Sequence, residues 1–273
     1  MDGKYQQNVQ KNTDLKEKIS FLNNRIKELT EEKDNFLQLA SHELKSPLRK
    51  ITTFADMLKN KFSADIPPDA LRYLERIRKN ITAMQSIIDG IIQLNSIARG
   101  DSNENCDLNE VLEESLRQLS ASIIETNAII QVCELPVIEA DFINMESLFK
   151  NLLSNSIKFR KPAEIPQIDI SCCELAGEEK NKFNLPFEKT FYKIKFADNS
   201  LGFSEQHAVE IFEPFVQLNG KSEFDGNGLG LSICRKIVEL QGGVIYAESN
   251  NTGSSFTLIL PKLANNNAYP GEN

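Results

Sequence analysis

The sequence predicts an α plus α/β chain, with a long helical N-terminal part followed by a mixed domain of helices and strands. Apolar residues recur at helical spacing almost without a break from Leu15 to Ala98. Beyond residue 104 the pattern changes, and alternating stretches such as Tyr192, Ile194 and Phe196 between lysines read as strands. A polar stretch, Gly100-Asp101-Ser102-Asn103-Glu104-Asn105, divides the two parts and reads as a linker. The 273 residues amount to about two domains, and 40% hydrophobic residues supply enough apolar mass for a core.

The first element is a heptad seam: Leu15, Ile19, Leu22, Ile26 and Leu29, then the polar Lys33, then Phe36. Sustained over three repeats it reads as a coiled coil, because so narrow an apolar stripe needs a partner to bury it. A solvated single helix with one sticky face is the plainer alternative. The helical pattern continues through Leu37, Ala40, Leu44, Leu48, Ile51, Ala55 and Leu58, with a kink expected at Pro47. It breaks at 63–68, and a second seam follows through Leu74, Ile77, Ile81, Met84, Ile88 and Ile91. Two long helices joined by a short loop form an antiparallel hairpin whose seams stay half wet alone. Two hairpins complete a four-helix bundle, so a homodimer is expected.

In the second part, 108–124 and 144–159 read as helices, and 167–174 and 192–198 as strands. The charged stretch 176–189 reads as a surface hairpin loop. A helix over 229–240 stops at Gly242-Gly243, strands at 244–249 and 254–260 follow, and the Asn-rich tail is expected to be disordered. The expected boundaries are 1–35 for the coiled coil, 36–100 for the hairpin, 101–263 for the mixed domain and 264–273 for the tail.

Composition excludes several classes. Lys and Arg number 31 against 39 Asp and Glu, a net charge of −8. That sign argues against nucleic acid or an anionic membrane as a general partner. No run of 18 apolar residues and no apolar leader occurs, so neither a membrane span nor a signal peptide is expected. The five cysteines are scattered, with no CxxC pair, and read as buried free thiols of a reducing cytosol. The two histidines, His42 and His207, are too few for a multi-histidine metal centre.

His42, in Ser41-His42-Glu43-Leu44-Lys45-Ser46-Pro47-Leu48, lies roughly 165° around the helix from the apolar stripe and so projects to solvent. Glu43, Lys45 and Arg49 offer a proton acceptor and two cations beside it, which suits an imidazole attacking a phosphate. An ordinary surface histidine is the plain alternative. Asn151, Asn155 and Lys158 fall at i, i+4 and i+7, on one helix face. An Asn carbonyl is a hard neutral ligand for magnesium already loaded with phosphate oxygens, and a lysine one turn on can meet phosphates. An exposed polar face is the competing account. Asp198, at a strand end before Asn199-Ser200-Leu201-Gly202-Phe203, can accept an adenine amine and would repel guanine's carbonyl, while Gly202 lets backbone approach the base. Gly226-Asn227-Gly228-Leu229-Gly230 opens a helix whose N–H groups can face phosphates, and no buried strand precedes it as a Rossmann turn requires.

The stretch 41–48 resembles the H-box of sensor histidine kinases, and four further stretches follow in that family's order. Residues 151–159 resemble the N-box, 198–203 the first glycine box, Glu210-Ile211-Phe212-Glu213-Pro214-Phe215 the F-box and 226–231 the second glycine box. The resemblance spans roughly 36–261, with Ser200 where the family normally has glycine and Asn227 where Thr is more usual. It implies a GHKL-type α/β sandwich that binds ATP with Mg2+ held at Asn155. It implies phosphoryl transfer to His42, with Glu43 as general base, then to an aspartate on a response regulator. Ser46 stands where such proteins carry a phosphatase residue. Asn151, Lys158, Asp198, Gly202, Phe203, Phe215, Lys221 of the ATP lid, Gly226, Gly228, Leu229 and Gly230 are the implied nucleotide-site residues. A cytosolic location is expected, with any membrane sensor outside this chain. The alternatives are a GHKL-type ATPase machine, disfavoured by Asn151 where such proteins place a carboxylate, and a coiled-coil adaptor with a degenerate nucleotide domain.

Overall fold

The structure is a computed structural model that describes residues 2–62, 66–97, 104–218, 226–250 and 252–263, and side chains from Lys16 onward apart from Glu17. Helix α1 (Asp2–Lys61) runs as one element through Pro47, and α2 (Pro68–Ser96) returns beside it. Pro47 brings no N–H to the Glu43 carbonyl, a local loss that the packed flanking turns outweigh. Leu48 of α1 packs on Ile81 and Ile88 of α2. Nearer the open end, Asn95 donates to the buried Asp34, next to the Lys33 of the sequence seam. The expected hairpin is present, and the seam residues Ile19, Leu22, Ile26 and Leu29 remain exposed on the single chain.

The second domain is built on a five-stranded mixed sheet in the order β2-β4-β5-β7-β6, where β2 is Ile129–Val132, β4 Gln167–Glu174, β5 Phe191–Asp198, β6 Val244–Asn250 and β7 Gly253–Pro261. Only β2 and β4 pair in parallel among these. A separate pair joins β1 (Glu104–Asp107) to β3 (Val137–Ala140), with Cys106 opposite Ile138. Helices α3 (Leu108–Gln118), α5 (Phe142–Lys158) and α7 (Gly230–Leu240) form a layer against the sheet, with α4 (Ser120–Thr126) at its margin. Asp107 and Asp141 cap α3 and α5, accepting from Asn109 N and Asn144 N at 2.8 Å each. The core is closed by Phe149 of α5 edge-on to Phe196 of β5, 5.1 Å between ring centroids.

Four expectations need correction. The linker stretch already contains β1 from Glu104, because pairing with β3 satisfies its backbone. The helix expected over 108–124 is two, α3 and α4, broken at Leu119. The stretch 176–189 is no plain surface loop: it holds α6 (Gly177–Lys182), and beside it Phe183 stacks on Tyr246 against the other sheet face. Lys180 there is buried, its ammonium donating to the carbonyls of Phe187 and Lys189 at 3.2 and 2.7 Å. Of the cysteines only Cys106 and Cys234 are buried, while Cys133 and Cys173 are exposed. Burial, with Asp141, Asp107 and Glu110 nearby, pushes the Cys106 thiol up to about 11. The Asn-rich tail and Lys221 lie outside the described residues.

Candidate functional site

Two centres flank α2. The first is a cleft between α1 and α2 lined by His42, Lys45, Ser46, Arg49, Gln85 and Asp89. The His42 side chain is 79% exposed, and its Nδ1 lies 3.9 Å from Glu43 Oε1. Lys45 crosses the cleft to Asp89, 2.5 Å between Nζ and Oδ1. At that separation Glu43 is beside the ring but not hydrogen-bonded to it, and both imidazole nitrogens remain open to the cleft and solvent.

The second centre is a cavity of about 330 Å³ between α5, the β5 end and the start of α7, with Ser86 of α2 at its rim. Asn151, Asn155 and Lys158 line it from one face of α5, as the i, i+4, i+7 spacing requires. Asp198, Gly202 and Phe203 line it from the β5 end, and Gly226, Gly228 and Gly230 from the approach to α7. Asp198 is held from several sides. Its Oδ1 accepts Ser200 N at 3.0 Å, Ser254 N at 3.1 Å and Ser254 Oγ at 2.8 Å, and its Oδ2 accepts Ser156 Oγ at 2.6 Å. Asn199 clamps the turn to β4, accepting from Gln167 N and donating to the Ile165 carbonyl. Gly202 adopts φ +70°, and a Cβ there would come within 2.5 Å of Ser249 Oγ, so only glycine fits.

Two expected site residues stand elsewhere. Phe215 is 55% exposed and outside the cavity lining, because its φ of +68° turns the chain so that its N–H meets the Gly228 carbonyl at 2.9 Å. Leu229 is fully buried under α2 rather than facing the cavity. Of the two F-box rings, Phe212 is buried and edge-on to Phe256. His207 lies outside both centres, paired with Glu210 at 3.0 Å. The residues that sequence reasoning missed are Ser156 and Ser254, which orient Asp198, and Ser86. Lone serines carry no spacing signal, and only the sheet register, which sets Ser254 opposite Asp198, reveals that one.

The donor set bears on magnesium. Asn151 and Asn155 offer neutral amide oxygens, and among the described residues no cluster of three His, Cys, Asp or Glu could hold a metal. These residues fit a magnesium ion whose remaining ligands are phosphate oxygens, and do not fit a free divalent ion.

Two family models match separate parts of the chain. Residues 32–100 match the family model described as "His Kinase A (phospho-acceptor) domain", and residues 140–264 the one described as "Histidine kinase-, DNA gyrase B-, and HSP90-like ATPase". Cyanobacterial phytochrome B of Nostoc sp. (strain PCC 7120) is 33% identical over 252 residues, covering 89% of this chain and 31% of that protein. Sensor protein RprX of Bacteroides fragilis is 26% identical over 250 residues, covering 88% of this chain and 46% of that protein. The chain thus spans less than half the length of these relatives. Among solved structures, full-length ShkA in complex with AMPPNP superposes with a TM-score of 0.60 at 20% identity, over 85% of this chain and 46% of that one. Histidine kinase ThkA in complex with response regulator protein TrrA gives 0.53 at 20% identity, over 85% of this chain and 64% of that one. At such identities the likeness is one of fold.

Proposed function

Carrying a phospho-acceptor domain followed by a histidine kinase-like ATPase domain, the chain belongs to the sensor histidine kinases, and we propose that it transfers the γ-phosphoryl group of ATP to His42. The carrying observation is geometric. One turn of α2 borders both centres, Ser86 on the cavity rim and Gln85 with Asp89 in the histidine cleft. Asp198 accepts the adenine amine, and Lys158 and the backbone before α7 meet the phosphates. Asn155, with Asn151 beside it, would hold magnesium, which neutralises phosphate charge when bound. His42 Nε2 attacks the γ-phosphorus, the bond to the bridging oxygen breaks and ADP leaves, and Glu43, whose carboxylate lies 3.9 Å from Nδ1, closes on the ring to take the Nδ1 proton. The phosphoryl group then passes to an aspartate carboxylate of a response regulator's receiver domain. Ser86 on the one hand and Gln85 with Asp89 on the other point from different sides of α2, so transfer calls for the ATP-binding domain to shift along or off α2.

Hydrolysis by an activated water is the weaker reading. Among the described residues Asp198 is the one acidic side chain lining the cavity and already accepts four hydrogen bonds, and the α5 face offers asparagines. The deciding experiment is incubation with γ-labelled ATP. Acid-labile, base-stable label on the wild type, absent from His42→Gln although that variant still binds ATP, is the expected result. Label persisting on His42→Gln would overturn the assignment.

A further inference from the structure

Where the resemblance leads one to expect glycine, Ser200 is buried at 3% exposure, and its hydroxyl lies 2.9 Å from Ser254 Oγ. The direction of that bond follows from counting protons. A serine hydroxyl carries a single hydrogen. Ser254 directs its own to Asp198 Oδ1 at 2.8 Å, so in the Ser200–Ser254 pair Ser200 is the donor. Its oxygen then accepts the Gly202 N–H at 3.3 Å, in the turn beside the base site. The result is a one-way relay from Ser200 through Ser254 to the carboxylate.

The same count shows what the relay leaves open. A carboxylate offers about four acceptor sites, two per oxygen. Oδ1 is crowded by three donors, Ser200 N, Ser254 N and Ser254 Oγ, which share its two sites, whereas Oδ2 accepts only from Ser156. One acceptor site on Oδ2 remains for a ligand. The serine also needs no strained backbone, since the positive-φ positions of this turn do not include residue 200. It is compatible with the turn and adds a hydroxyl that glycine would lack.

Resting on the reading of the cavity as an adenine nucleotide site, we propose that Ser200 is a positioning residue for base selection. Its hydroxyl orients Ser254, and through it fixes Asp198 so that Oδ2 alone is presented to an exocyclic amine. Losing the hydroxyl leaves Ser254 free to rotate and Asp198 free to turn either oxygen to the base. The cost then falls on nucleotides that carry the amine and spares those that do not.

The test is calorimetric binding of ATP and of inosine triphosphate, which has a carbonyl in place of the amine, to the full chain and to Ser200→Ala and Ser200→Thr. The wild type should prefer ATP. Ser200→Ala should lose about tenfold of that preference, through weaker ATP binding with inosine triphosphate little changed, and a tenfold change corresponds to about 1.4 kcal/mol. Ser200→Thr retains the hydroxyl and should retain the ratio, even where its extra methyl lowers both affinities. A merely structural serine would move both nucleotides together in the alanine variant and leave the ratio intact, which would overturn the proposal alone. A wild type without preference for ATP would overturn the adenine reading, and this inference with it.

Discussion

Ser46 shares the cleft with His42, one turn from Glu43 and about 40° from His42 around the helix. Its alternative role, relieving Pro47 by bonding to backbone, has no support among the described residues: Ser41, Thr52 and Thr53 of the same helix donate to carbonyls four residues back, whereas Ser46 makes no such bond. On the proposed function, the hydroxyl would orient a water toward a phosphorylated partner in the cleft. A serine does so less tightly than a threonine, whose branched carbon restricts its rotamers. Decay of a phosphorylated response regulator in the presence of ADP-free kinase should therefore be slow with wild type, several-fold faster with Ser46→Thr and lost with Ser46→Ala. Autophosphorylation should persist in both variants. Identical decay in all three would leave Ser46 without this role.

Among elements, α2 lies between the two centres, lining the histidine cleft on one side and contacting the ATPase-like domain on the other. Asn227 Nδ2 donates to the Ser86 carbonyl at 2.8 Å, Gln93 donates to Ser147 Oγ at 2.5 Å, and Gly90 receives Leu229. A Cβ at Gly90 would collide with Leu229 Cδ1 and lie 3.2 Å from Leu229 Cβ, so glycine here sustains a close approach of the two domains. The same glycine costs α2 about 1 kcal/mol of helix propensity relative to alanine. Gly90→Ala thus has opposed consequences at two places. Hydrogen exchange should slow in α2 around residue 90 and quicken at the start of α7, where Leu229 loses its seat. Uniformly slower exchange would mean that the contact does not hold the domains together. Asn227, where the family more usually has threonine, serves this docking and also accepts the Leu229 N–H at 3.0 Å.

For the whole molecule, the question is what covers the hairpin's outer stripe. Along α1, residues 34, 41, 48 and 55 recur every seven and are all buried on the α2 side. A parallel ladder, Leu44, Ile51 and Leu58, is about half exposed at 53%, 47% and 46%, and Ile77 and Met84 of α2 are similarly open. Burying the remaining half of each such side chain contributes about 1 kcal/mol, enough in sum over both chains to favour a four-helix bundle of two chains. Sedimentation at micromolar concentration should give a dimer, and Leu44→Lys combined with Ile51→Lys should give a monomer that still binds ATP. A monomeric wild type would show that the stripe is covered in some other way.

The sequence by itself determined the elements with strong period and the residues grouped by spacing. The heptad seam, the hairpin, the outward histidine, and Asn151, Asn155 and Lys158 on one helix face are all local geometry, fixed once 3.6 residues make a turn. Strands of four residues such as β1, β2 and β3 carry too little alternation to be read, and exist because their partners satisfy them. The α3–α4 break and the α6 segment over the sheet likewise follow from what they pack against. The setting of Asp198 is decided entirely by the tertiary fold. Its donors come from positions 156, 200 and 254, brought together by α5 lying on β5 and by β7 pairing with it in register. No sequence spacing encodes that meeting, because hydrogen-bond partners across a sheet are set by register, and register only by the core that closes around it.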